Sequence, residues 1–295
     1  MDLKITDAAA TFIMIFSIVV MVGCSNQPIR SESASPSDSP IKKVITYNIK
    51  YDNPRDSLNK WDNRKAEVVN MLQYYEPDVF GLQEGLEHQL IYLDQQLDNY
   101  SRIGVGRDDG KRKGEFSPIY YDHTKLNLLT ASTFWLSDQS DQVSVGWDAS
   151  MERICTYGVF ENKSSQKTIL VFNTHYDHIG QKARENSSRL ILSKIQEINQ
   201  TNYPIILMGD LNALPESTTI QLLKKELKDG GELTKNGIYG PKGTFTGFEK
   251  AIIPDRRIDY IFVKELEVTT YRHIDDKMTN NNYLSDHLPV LVELK

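Results

Sequence analysis

The chain has 295 residues, 39% of them hydrophobic and 25% charged, which permits one large α/β domain or two ordinary ones around a sizeable core. Its formal net charge is −6, of which residues 1–23, holding Asp2, Lys4 and Asp7, account for −1. The remaining acidity excludes a general electrostatic attraction for polyphosphate, so nucleic-acid contact would need a local basic patch.

The chain opens with an uncharged apolar run over residues 8–23. It is short for a membrane span and suits the hydrophobic segment of a signal peptide. The run ends Met21-Val22-Gly23-Cys24. Small residues before a cysteine resemble a bacterial lipoprotein signal, which implies a signal peptide over 1–23 and lipidation at Cys24. A plain secretory signal or an anchor helix is the other reading. Residues 24–41, rich in Ser and Pro, read as a disordered tether, and the folded part is expected to begin near Lys42 as one domain, 42–295. This places the protein in the bacterial cell envelope, periplasm or cell surface, touching a membrane through its lipid.

Along the rest of the chain, "KVITYNI" (43–49) predicts a strand. Residues 63–75 predict a helix with Ala66, Val69 and Leu72 on one stripe. A buried strand over 76–84 ends in Gln83-Glu84, and a helix follows at 86–97. Short strands are expected at 117–121, 126–130, 132–136 and 155–161, with Cys155 a small core residue. "KTILVFNTHYD" (167–177) is a strand with polar groups at its end, and 183–198 a helix striped by Ile191, Ile195 and Ile198. "YPIILMGDLNA" (203–213) is a buried strand ending in acid and amide; strands at 256–264, 267–274 and 287–294 complete the set. Helices among many strands, some buried on both faces, predict α/β layers with two sheets and helices outside.

Apolar strands repeatedly end in polar groups: Asn48, Gln83-Glu84, Asn173-Thr174-His175, Asp210-Leu211-Asn212 and Asp286-His287. One such end is a cap or a turn. Several brought to one rim would repel unless a cation or a histidinium lay among them. Oxygen ligands without a cysteine cluster suit Mg²⁺ or Mn²⁺, and Mg²⁺ keeps waters and favours phosphate as its partner. Histidines beside carboxylates then suggest acid–base work on phosphoryl oxygens.

The ordered set "TYNI", "LQE", "NTH", "GDLN", "RIDYIF" and "SDHLPV" resembles the endonuclease/exonuclease/phosphatase superfamily over residues 43–294. The resemblance implies a four-layer α/β sandwich, two central mixed β-sheets flanked by helices, and a metal-dependent phosphoesterase. It implies Glu84 as the principal metal carboxylate, with Asn48 and Asp286 assisting. Asp210 would orient or deprotonate water, or serve a second metal. Asn212 would bind phosphate or orient that aspartate. His287, held by Asp259, and His175 would stabilise charge from two sides.

Substrate contacts are expected from Tyr120, Arg153 and His178; the other readings are a core aromatic, a surface ion pair and a helix cap. Lys111, Arg112 and Lys113 read as a solvated loop, His88 and His273 as structural, and the tryptophans as packing. The substrate expected is a small phosphomonoester or phosphodiester, met by a monomer. An extracellular nuclease acting on DNA or RNA comes second and a lipid phosphodiesterase third. A binding module on a degenerate scaffold is disfavoured, because every core catalytic position is filled.

Overall fold

The computed structural model describes residues 38–295. Its elements in chain order are β1 (Lys43–Asn48), α1 (Lys65–Tyr75), β2 (Val79–Gln83), α2 (Glu87–Gln96), β3 (Tyr100–Ile103), β4 (Ile119–Asp122), β5 (Leu126–Trp135), β6 (Ile154–Asn162), β7 (Thr168–His175), α3 (Gln181–Ile198), β8 (Ile205–Asp210), α4 (Thr218–Leu223), β9 (Lys228–Asp229), α5 (Gly230–Leu233), β10 (Asp259–Lys264), β11 (Val268–His273) and β12 (Val290–Leu294). They form two mixed six-stranded sheets, ordered β11-β12-β1-β2-β4-β3 and β5-β6-β7-β8-β10-β9.

Strand alternation sorts the apolar side chains into three layers. On sheet one, Ile45, Tyr47, Phe80, Leu82 and Leu291 face out and pack with Val69 and Leu72 of α1 and Leu90 and Leu93 of α2. Val44, Val79, Ile119, Val290 and Val292 face the other way and meet Ile169, Val171, Ile206, Met208 and Ile261 of sheet two. The outer face of sheet two presents Leu170, Phe172, Leu207 and Phe262 to Ile191 and Ile195 of α3 and Ile220 and Leu223 of α4. The result is the helix–sheet–sheet–helix sandwich.

Polar groups pin the two sheets just below the rim. Asn173 of β7 donates from Nδ2 to the carbonyls of Leu82 (2.9 Å) and Pro118 (2.8 Å), and its Oδ1 accepts from Gln83 Nε2 at 2.7 Å. Gly81 makes room for this bridge, since a Cβ there would lie 2.5 Å from the Asn173 side chain. The amides Gln83 and Asn173, both placed at polar strand ends, therefore join sheets rather than meet a ligand.

Several local expectations are revised. The N-terminal boundary moves: Ser39, Pro40 and Ile41, assigned to the tether, are buried, and Ser39 N–H donates to the Lys295 carbonyl. The signal segment, Cys24 and the tether up to residue 37 lie outside the described residues. Ala66 is exposed, and α1 instead buries Val68, Val69, Met71, Leu72 and Tyr75. The two short strands expected at 126–136 are one, β5, broken by a register shift between Leu128 and Thr130. That extra residue resets the alternation and splits the sequence signal. Helix α3 begins two residues early because Asp148, 35 residues upstream of Ala183, accepts from the Lys182 and Ala183 N–H groups. Cys155 is fully buried, as expected of a core residue.

Candidate active site

The polar strand ends converge on one rim. Asn48 ends β1, and its Nδ2 donates to Glu84 Oε1 (3.1 Å) and Asp210 Oδ2 (3.0 Å). This one amide therefore links the ends of β1 and β8 and the residue just after β2, and with them both sheets. Glu84 follows β2 with φ 62, which turns its carboxylate back to accept from Tyr51 N–H at 3.2 Å. Ser285 Oγ donates to the Asn48 carbonyl at 2.7 Å, which fixes the approach of Asp286 and His287.

Sheet two supplies the facing groups. Gly209 has φ 149, and a Cβ there would meet the Thr174 carbonyl oxygen at 2.0 Å, so β8 can lie this close to β7 only with glycine. That pairing sets His175 opposite Asp210, while β10 sets Asp259 opposite Asp210 from the other side. Asp210 Oδ1 accepts from Asn212 N–H at 3.0 Å, with Asn212 in the left-handed region (φ 46). Its Oδ2 lies 3.5 Å from His175 Nε2 and 3.7 Å from His287 Nε2.

The two imidazoles differ electrostatically. His287 Nδ1 donates to Asp259 Oδ2 at 2.9 Å, leaving Nε2 free to face the rim. Burial lowers its pKa, but Asp259, Asp210 and Asp286 outweigh that and raise it to about 10. His175 is held well below its ordinary value by burial, then by Arg153 and Arg107. Asn212 Nδ2 donates to its Nε2 at 3.1 Å, which places the proton of a neutral His175 on Nδ1, 4.0 Å from Glu115 Oε2. Burial raises Asp210 to about 7, with Asp259 adding to the rise.

Glu84 and Asp286 share one partner. Lys50 Nζ lies 3.3 Å from Glu84 Oε2 and 3.2 Å from Asp286 Oδ2. Burial works to raise the Glu84 pKa, and Lys50 leads the groups that bring it below the ordinary value.

Arg153 is 5% exposed and lines a small crevice with Arg107, Glu115, Ser117 and His175. Its Nε lies 3.4 Å from Asp177 and its Nη2 bonds His178 Nδ1 at 3.0 Å, while Nη1 is buried without a partner. His178 is exposed beside it. Asp177 accepts from the Ile179 and Gly180 N–H groups, which fixes the turn just before α3.

Tyr120 is corrected. It points to the opposite side of sheet one, stacks on Phe80 at 4.7 Å and donates to Asp94 Oδ1 at 2.9 Å. Its neighbours Ile119 and Tyr121 face sheet two. Strand parity alone therefore makes it a core aromatic rather than a substrate contact.

Four rim residues escaped the sequence reading: Lys50, Arg107, Glu115 and Phe245. Arg107 pairs with Glu115 at 2.8 and 3.0 Å, and Phe245 sets its edge against the His287 ring at 5.2 Å. Lys50 follows directly on "TYNI", and Glu115 directly precedes "FSPIYYD", so proximity to a motif was the available signal. Of the other expectations, Lys111, Arg112 and Lys113 are exposed, and His273 is buried. His88 forms a surface pair with Asp52.

A rim of carboxylates, amides and two unlike imidazoles above a double-sheet sandwich defines a hydrolytic α/β protein. The family model described as Endonuclease/Exonuclease/phosphatase family matches residues 45–287, and the chain belongs to that family. The mannosyl-6-phosphatase of Bacteroides thetaiotaomicron VPI-5482 is 38% identical, with 86% of this chain and 99% of that one aligned at a TM-score of 0.83. An uncharacterized protein of Acanthamoeba polyphaga mimivirus is 28% identical over 251 residues, 80% of this chain and 92% of that protein. A probable RNA exonuclease of Saccharomyces cerevisiae is 29% identical over 204 residues, 61% of this chain and 39% of that protein. The chain is a hydrolase of the phosphoesterase and nuclease type.

Proposed function

We propose that the protein hydrolyses small phosphomonoesters, sugar phosphates foremost, by in-line attack of water with help from a divalent ion, Mg²⁺ or Mn²⁺. The observation that carries this is the convergence of Asn48, Glu84 and Asp286 on one side and His175, Asp210, Asn212, Asp259 and His287 on the other. The high similarity to a mannosyl-6-phosphatase along nearly its whole length favours the monoester.

The metal seat is assigned to Glu84 and Asp286 with Asn48 beside them. This donor set fits: it is oxygen-rich and already attracts a positive group, Lys50. Ligand atoms of Asp210, Asp259 and His287 also lie within 4.8 Å of one another and could hold an ion. We assign that cluster to proton handling instead, because the His287 Nδ1–H is committed to Asp259. The bound ion would polarise a phosphoryl oxygen and ease departure of the alkoxide.

Asp210 orients the attacking water and accepts its proton, for which a pKa near 7 is well placed. Asp259 fixes the tautomer and angle of His287, so that a positive Nε2–H can meet charge growing on a phosphoryl oxygen. Asn212 and His175 hold the opposite side, and Arg153 offers its unpartnered Nη1 to the substrate. His178 orients that guanidinium.

The test is a screen of the purified protein with Mg²⁺ or Mn²⁺ against phosphomonoesters, phosphodiesters and nucleic acids. Release of phosphate from sugar phosphates far above all other turnover is expected. Nucleic-acid cleavage far above every small ester would establish the nuclease reading that the yeast relative suggests. We further propose export and lipid anchoring at Cys24; unchanged membrane association of a Cys24→Ala variant would refute it.

A further inference from the structure

The backbone of Lys50 is left-handed, φ 59, a conformation a residue with a Cβ keeps only when its surroundings enforce it. Three contacts do so. Its N–H donates to Asn48 Oδ1 at 3.1 Å, and its carbonyl accepts from Gln89 Nε2 at 3.1 Å and Arg64 Nη2 at 3.3 Å. The clamped turn aims the side chain across Glu84 and Asp286. That side chain remains 27% exposed, so its ammonium has a route to solvent.

We infer that Lys50 is a tethered counter-ion of the metal seat, which a divalent ion must displace in order to bind. This rests on the seat proposed above. Two carboxylates facing each other repel, and the ammonium cancels that repulsion before any ion arrives. A Mg²⁺ ion needs oxygen contacts at about 2.0–2.1 Å in a full octahedron, and two cations drawn to the same pair of oxygens repel each other, so the ion competes with the ammonium for them. Metal uptake is then an exchange of one cation for another. The protein stays folded without metal, and its apparent metal affinity is reduced by the cost of expelling Lys50.

The experiment is calorimetric titration of Mn²⁺ into the wild-type chain and the variants Lys50→Met, Lys50→Gln, Lys50→Arg and Glu84→Gln, with melting temperatures measured with and without Mn²⁺. Removing the ammonium is expected to tighten Mn²⁺ binding about tenfold or more. It should also lower the metal-free melting temperature and enlarge the rise that Mn²⁺ produces. Lys50→Arg, which keeps the charge, should bind Mn²⁺ close to wild type. The glutamine variant keeps the side chain's polarity, so a folding failure of the methionine variant does not leave the question open. Unchanged or weaker Mn²⁺ binding in both neutral variants, with Glu84→Gln having lost it, overturns the counter-ion and leaves the seat standing. Wild-type Mn²⁺ binding by Glu84→Gln overturns the seat itself and this inference with it.

Discussion

The two sheets end differently at the shared rim. Sheet one brings oxygen: Asn48, Glu84 and Asp286, with a lysine already drawn in. Sheet two brings two acids and an imidazole: His175, Asp210 and Asp259. His287 crosses the boundary, leaving the β12 approach to bond Asp259 on β10. Attraction for a cation and control of a proton are opposite electrostatic demands, and under the proposed function the fold would separate them by drawing each from its own sheet. The seam is crossed by few groups, chiefly Asn48, His287 and the buried Gln83–Asn173 bridge.

Removing the oxygen side should have the largest effect. Glu84→Ala is expected to lose nearly all turnover, about 1,000-fold or more, and to bind Mn²⁺ weakly, because no other group replaces the shared carboxylate. Steady-state kinetics with added Mn²⁺ checks this, and wild-type turnover would end the division of labour described here. Next, His287→Ala should cost about 100- to 1,000-fold in kcat with folding intact, the usual effect of losing one oxyanion donor. A loss confined to KM would instead make His287 a binding group.

Cutting the seam below the rim tests stability rather than chemistry. Asn173→Ala removes three bonds between the sheets, although Gln83 Nε2 keeps Thr46 Oγ1 and the Pro118 carbonyl keeps the Leu82 N–H, so the loss should be about 1–3 kcal/mol in all. Thermal unfolding should fall clearly, and a Tm within about 2 °C of wild type would show that the sheets do not depend on this bridge. The last effect, confined to acid, belongs to His273, buried at the end of β11. Burial lowers its pKa from 6.5 to about 4, while Pro241 accepts from its Nδ1 at 2.7 Å. The unfolded chain therefore takes up the proton first, and stability should fall as pH drops from about 6.5 towards 4, by up to about 3 kcal/mol. Denaturant unfolding of wild type and His273→Gln across that range is the measurement; identical slopes would remove His273 as the cause.

The catalytic motifs were legible because each lies at the end of an apolar strand, where a buried run stops and a polar group begins. Tyr120 was not, because the face it takes depends on strand parity that only the pairing with Phe80 fixes. Arg107 and Glu115 come from a long loop whose path is set by contacts with Trp135 and Phe116 rather than by any periodic signal. β3, α4 and α5 are too short to rise above their surroundings. Helix α3 was found but started late, since its capping aspartate lies in a remote segment.

Strand β12 lies between β11 and β1, so the last strand made in the described chain sits beside the first. Until residues 286–294 leave the ribosome, β1 has an open edge and the rim lacks both Asp286 and His287. A chain cut before Asp286 would lose two groups of the rim and the strand that covers the β1 edge together.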